Sequence, residues 1–109
     1  MKFFTEKELQ CKCCGVDNTT DLFKKKLDFL REVYGKPMKV NCAYRCPKHN
    51  AEVGGVKNSQ HLLGIACDIK DISKKFRDTA FELGWTVGEY KTFTHIDLRK
   101  EQIKFKGDH

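Results

Sequence analysis

The chain has 109 residues, a formal net charge of +6 and a pI near 9.0. With 39% hydrophobic and 33% charged residues, its composition is typical of a folded globular domain and excludes a disordered chain. No apolar run approaches the roughly 20 residues of a membrane-spanning helix, so we expect no membrane segment. The length predicts a single domain, residues 1–109, with a modest core.

The basic charge predicts salt-dependent attraction to polyanions such as nucleic acids or envelope polymers. For each lysine run taken alone, such as residues 24–26, a solvated helix face is the preferred interpretation. Residues 1–6 become charged before the apolar core of a signal peptide could form. We therefore expect synthesis in the cytoplasm without a signal peptide.

The first predicted helix begins after Thr19 or Thr20, since either hydroxyl can cap an N-terminus. Gly35, soon followed by a proline, ends it. Residues 38–42 then alternate as a strand does, and the Pro, His, Asn, Gly and Ser content of residues 45–60 predicts a long ordered loop. Within the helix, apolar residues recur at helical spacing, at Leu22, Phe23, Leu27, Leu30, Val33 and Tyr34.

The second half of the chain reads as strand, helix and hairpin. A strand is predicted at residues 66–69, and a helix capped by Ser73 follows. Residues 85–87 and 92–99 form an antiparallel pair joined by a turn at 88–91. This order predicts an α+β domain with an antiparallel sheet and helices packed on one face.

Alternation along the last strand puts His95 and Asp97 on the face opposite the branched apolar side chains. The same alternation in residues 66–69 directs Asp68 over that face. His61 precedes Asp68 by seven residues, and Gly64 between them allows a tight loop. Two neutral imidazoles and one carboxylate suit a catalytic zinc ion with one position open for water, whose pKa then falls to about 7.

Several segments together resemble a known family. Residues 59–68 match Ser-x-His-x-x-Gly-x-Ala-x-Asp, the signature of the zinc D-Ala-D-Ala peptidases, and residues 94–97 match the later His-x-Asp strand. Residues 43–50 resemble the Gly-Tyr-Arg-Ser-Pro-x-His-Asn loop of compact phage and prophage members, and residues 4–9 resemble their opening. The resemblance covers nearly the whole chain and identifies it as similar to the zinc D-Ala-D-Ala carboxypeptidases of peptidase family M15, which share the Hedgehog fold.

The resemblance implies that His61, Asp68 and His95 bind one catalytic Zn²⁺. It also implies hydrolysis of peptidoglycan stem or cross-bridge peptides by a monomer that reaches the cell wall after release, as a phage endolysin does. Arg45 can offer a bidentate fork to a substrate carboxylate. Gln60 and Ser59 are candidates for orienting a metal ligand or polarising the substrate, although Ser59 could equally stabilise its loop.

The general base is the least determined assignment. Many relatives carry an acidic residue three positions before the last histidine ligand, where this chain has Thr92. Asp97 lies on the ligand face, and Glu89 stands at the offset of the Hedgehog glutamate. Either could accept a proton, because a general base must first lie within hydrogen-bonding distance of that proton, and its pKa is the second requirement. Asp97 could instead only orient a ligand.

Two alternatives keep the same residues but change their role. The first is a non-catalytic wall-binding module, which would retain the zinc as Hedgehog domains do. The second is a basic nucleic-acid module. Because it would leave the motif at residues 59–68 unexplained, nucleic acid is not an expected partner. The cysteines without an export signal indicate reduced thiols rather than disulfides. A second, structural metal is the less favoured alternative to free thiols at Cys11, Cys13, Cys14, Cys42 and Cys46.

Overall fold

The computed structural model describes residues 3–11, 15, 17–52 and 60–107, with the backbone alone at 6, 47, 49, 60 and 62. Its fold is α+β, as predicted. The helices are α1 (Glu6–Leu9), α2 (Asp21–Tyr34), α3 (Pro47–Glu52), a 3-10 helix (Gln60–Leu63) and α4 (Lys74–Glu82). The strands are β1 (Val40–Cys42), β2 (Ala66–Ile69), β3 (Thr86–Glu89), β4 (Thr94–Asp97) and β5 (Lys104–Lys106).

Helix α2 begins and ends where the sequence predicts. The Thr20 hydroxyl accepts a hydrogen bond from the backbone N–H of Phe23 at 3.1 Å, which caps the N-terminus. Gly35 follows with a φ of 75° and donates its N–H to the Arg31 carbonyl. Of the predicted apolar positions, Leu22 and Val33 are exposed, while the buried ones are Phe23, Leu27, Leu30 and Tyr34.

The sheet has five strands in the order β1-β2-β4-β3-β5. The first three pairings are antiparallel, as predicted, but β5 pairs with β3 in parallel. The predicted antiparallel sheet thus comprises β1 to β4, and the parallel edge strand β5 was not predicted. Its sequence is short and charged, so local pattern gives no strand signal there.

Two local predictions also need correction. Residues 47–52 form helix α3 within the segment predicted as a loop, and residues 53–59 of that segment lie outside the described residues. In the hairpin, β3 continues to Glu89 and the turn falls at residues 90–93. Arg77 of α4 donates to the carbonyls of Tyr90 at 2.7 Å and Phe93 at 3.2 Å, so the helix holds the turn in place.

Helices α2 and α4 pack against one face of the sheet, as predicted. On the strands, the core contains Cys67 and Ile69 of β2, Val87 of β3 and Ile96 of β4. The other face of the same strands carries the polar side chains of the candidate site. None of the helices in the described part of the chain is long and apolar enough to cross a bilayer.

Candidate metal centre

The β2–β4 register brings the candidate ligands of the two strands together. Asp68 lies directly opposite His95, and Cys67 lies opposite Ile96. Because paired residues in a sheet share a face, Asp68 and His95 lie on the side away from the core. The geometry predicted from strand alternation is present.

Asp68 Oδ1 is the point where two imidazoles meet. It lies 3.2 Å from His61 Nε2 and 3.0 Å from His95 Nδ1. Burial alone would raise the pKa of Asp68, but the hydrogen bonds from both imidazoles lower it well below the ordinary range. Burial lowers the pKa of each histidine, and the neighbouring carboxylates raise it to above its ordinary value.

His61 is held by the backbone around it. Its side chain is buried, and Nδ1 lies 2.6 Å from the Ala43 carbonyl oxygen. A carbonyl only accepts hydrogen bonds, so Nδ1 carries a proton. Nε2 then donates to Asp68 when the ring is protonated and presents a lone pair on that side when the ring is neutral. The Arg45 backbone N–H donates to the His61 carbonyl at 3.3 Å, tying the segment after β1 to the 3-10 helix.

His95 is held by a side chain instead. Its Nε2 lies 2.7 Å from Asp97 Oδ2, and the Asp97 side chain is fully buried. Arg99 contacts both Asp97 oxygens, with Nε at 2.9 Å from Oδ1 and Nη2 at 2.6 Å from Oδ2. Although burial raises the pKa of Asp97, the bonds from His95 and Arg99 lower it to about 2. The ionised Asp97 accepts a hydrogen bond from the Nε2–H group, so in the neutral ring the lone pair is on Nδ1, on the side of Asp68.

The arrangement fits a metal ion by the chemistry of its donors. The ring N–H of each neutral imidazole is already used, by Ala43 for His61 and by Asp97 for His95. Without a metal ion, the protonated rings donate from their other nitrogens to Asp68, in keeping with their raised pKa. Once those protons are lost, two nitrogen lone pairs and the carboxylate are directed at one place and can bind a cation. Imidazole and carboxylate are the ligands of catalytic zinc sites.

Cys42 lies beside two of the predicted ligands, whereas the sequence suggested it only for a second, structural metal. The ligand atoms of Cys42, His61 and Asp68 all lie within 4.8 Å of one another, so these residues could hold a metal ion. Cys42 pairs with Asp68 across β1 and β2. Only the strand register shows this neighbour, because Cys42 is far from both partners along the chain.

Glu89 lies away from the centre. It pairs with Thr94, whereas Gly88 pairs with His95, so Glu89 shares the face of the helices. Its carboxylate lies 3.7 Å from Lys104 Nζ. The position at the hairpin that suggested a general base is thus turned from His95, and the geometry favours Asp97 over Glu89 as the acidic group in contact with the site.

The remaining predicted residues are placed only in part. Arg45 follows β1 and adjoins His61 through the backbone bond described above. Ser59, Cys13 and Cys14 lie outside the described residues, and Gln60 is described by its backbone alone. No disulfide joins the described cysteines to one another; these are Cys11, Cys42, Cys46 and Cys67. Cys11 accepts a hydrogen bond from the Cys46 backbone at 3.4 Å, so Cys11 and Cys46 are neighbours, while Cys42 faces His61 and Asp68.

Comparison with protein families places the chain in a family. The family model of peptidase M15 matches residues 2–97, which include every strand except β5. The chain belongs to the peptidase M15 family. It is therefore a peptidase, with a Cys, His and Asp group that could bind a metal ion. Among curated proteins the comparison finds no match.

Proposed function

We propose that this peptidase is zinc-dependent and hydrolyses stem or cross-bridge peptides of peptidoglycan, as a D-Ala-D-Ala carboxypeptidase or endopeptidase of the phage endolysin kind. The observation that supports it best is the convergence of His61 Nε2 and His95 Nδ1 on one oxygen of Asp68. The net charge of +6 adds attraction to an anionic cell wall.

The proposal gives each side chain of the centre a task. The ion would be held by His61, Asp68 and His95. When bound, it supplies a Lewis acid and lowers the pKa of water, so that a hydroxide nucleophile is available at neutral pH. The Ala43 carbonyl and the Asp97 carboxylate fix the tautomers of the two imidazoles. Arg45 offers its guanidinium to the carboxylate of the substrate and so positions the peptide.

Metal removal tests this function directly. The purified protein should contain about one zinc per chain, release peptide fragments from peptidoglycan, and lose that activity on treatment with a strong chelator. Zinc should restore it. Mass spectrometry of the released muropeptides identifies the bond that is cut. Unchanged hydrolysis in the chelated protein would contradict the proposal, and wall binding without any cleavage would favour a non-catalytic module instead.

Asp97 acts in this proposal as a positioning residue rather than as the base. Asp97→Asn is expected to lower zinc affinity by roughly 10–100-fold, the usual cost of losing a group that orients a metal-binding histidine. Glu89→Gln is the matched control, since its side chain lies on the other face, and it should keep both zinc affinity and turnover. Zinc titration and kcat for the two variants decide the matter: loss of turnover with intact zinc binding in Glu89→Gln would reinstate Glu89 as the base.

A further inference from the structure

We infer that Cys42 is itself a ligand of the metal centre, so that this chain holds its ion with a thiolate in addition to imidazole and carboxylate. The inference deepens the proposed function and rests on it, because it adds a ligand to the same site. Its starting point is the mutual distance of at most 4.8 Å between the ligand atoms of Cys42, His61 and Asp68.

An irregularity in the sheet directs Cys42 to this face. Val40 pairs with Ile69, a core residue, so in a regular ladder Cys42 would pair with Cys67 and also face the core. The register instead shifts by one residue between Val40 and Cys42, and Cys42 pairs with Asp68. Bulges of this kind are frequent beside active sites, where they redirect a side chain.

The backbone also fixes the sulfur relative to His61. The residue after Cys42 is Ala43, whose carbonyl oxygen lies 2.6 Å from His61 Nδ1. The Cys42 thiol lies 3.8 Å from the same carbonyl oxygen. One backbone carbonyl thus contacts both the sulfur and the imidazole, and His61 Nε2 lies 3.2 Å from Asp68 Oδ1.

A thiolate ligand changes the chemistry of the centre. Thiolates are soft ligands, so they favour zinc over hard ions such as magnesium and manganese. Sulfur would be a fourth protein ligand, so the attacking water would need a fifth coordination position, which catalytic zinc sites can take up. The ion would accordingly be held more tightly than by His61, Asp68 and His95 alone, and alkylation of Cys42 would weaken its binding.

Cobalt substitution tests the inference, because a sulfur ligand gives Co²⁺ an intense near-ultraviolet charge-transfer band that nitrogen and oxygen ligands do not give. One equivalent of Co²⁺ is added to the metal-free protein and to three variants. The wild type and Cys67→Ala should show the band, since Cys67 faces the core. Cys42→Ser and His61→Ala should lack it. The zinc affinity of Cys42→Ser should fall by at least roughly 10–100-fold, because loss of a group that only orients a metal ligand already costs that much.

The outcomes separate this inference from the proposed function. The wild type could show visible cobalt bands that are lost in His61→Ala, but no charge-transfer band. That result would contradict a thiolate ligand and still support the metal centre. A band that persists in Cys42→Ser, or that disappears in a folded Cys67→Ala, would also overturn it, because the sulfur would then come from another residue. A wild type that binds neither cobalt nor zinc would contradict both proposals together.

Discussion

Replacement of His61 by alanine is expected to lower peptide hydrolysis by at least about a thousandfold. His61 supplies one of the two imidazole nitrogens that meet at Asp68 Oδ1, and the proposed zinc would lose a ligand with it. A Lewis acid contributes several kcal/mol to the transition state, and each 1.36 kcal/mol changes the rate tenfold. The rate should therefore fall close to that of the chelated wild type.

A thermal readout makes the same prediction without relying on activity. A ligand that binds only the folded state stabilises it by about 4 kcal/mol at a thousandfold excess over its Kd. Zinc should therefore raise the melting temperature of the wild type but not that of His61→Ala. Lys74→Ala serves as the control, because its side chain is 92% exposed in α4, and it should respond to zinc as the wild type does. Equal stabilisation of His61→Ala by zinc would contradict the assignment.

Much of the fold follows from local signals in the sequence. The Thr20 cap and the Gly35 stop fix α2, because both act within one turn of the helix. Alternation in β2 and β4 is strong enough to assign Asp68 and His95 to one face, since a residue's side of a strand depends only on its parity. Features of this kind need no knowledge of partners.

The parts that could not be predicted depend on pairing between distant segments. Strand β5 forms by pairing with the edge of β3. Residues 104–106 carry no local pattern that would predict this pairing. Cys42 reaches the site only because the β1–β2 register shifts by one residue, and parity alone would have assigned it to the core. The position of Glu89 was likewise not predictable from its local sequence. Residues 88–91 were predicted as a turn, but β3 extends to Glu89, and this pairing places Glu89 on the face of the helices.

The support for His95 also extends beyond the segment that matches the family. Arg99 holds both oxygens of Asp97, and Phe105 of β5 lies over Gly88, where an added Cβ would come within 2.5 Å of its ring. The Phe105 ring centroid is 6.0 Å from that of His95. Both residues follow residue 97, the end of the family match. The last strand of the chain thus closes one side of the candidate site.

Replacement of Gly64 by alanine is expected to cost roughly 2–5 kcal/mol of folding free energy, the sum of left-handed strain and overpacking. Gly64 has a φ of +71°, and a Cβ there would lie 2.1 Å from the Asn18 carbonyl oxygen and 2.9 Å from Thr19 Cα. These are backbone atoms, so they cannot rotate away. The melting temperature should fall by about 10 °C or more.

Gly35→Ala is the matched control for this prediction. Gly35 has a φ of +75° but nothing within 4 Å of an added Cβ, so the substitution carries the strain without the clash and should cost about 1–2 kcal/mol. Gly64 also donates its N–H to the His61 carbonyl at 3.3 Å. Since a shifted Gly64 moves His61, zinc affinity should fall in Gly64→Ala and stay unchanged in Gly35→Ala. Equal losses of stability in the two variants, by thermal or urea unfolding, would show that the contact with Asn18 does not restrict this position.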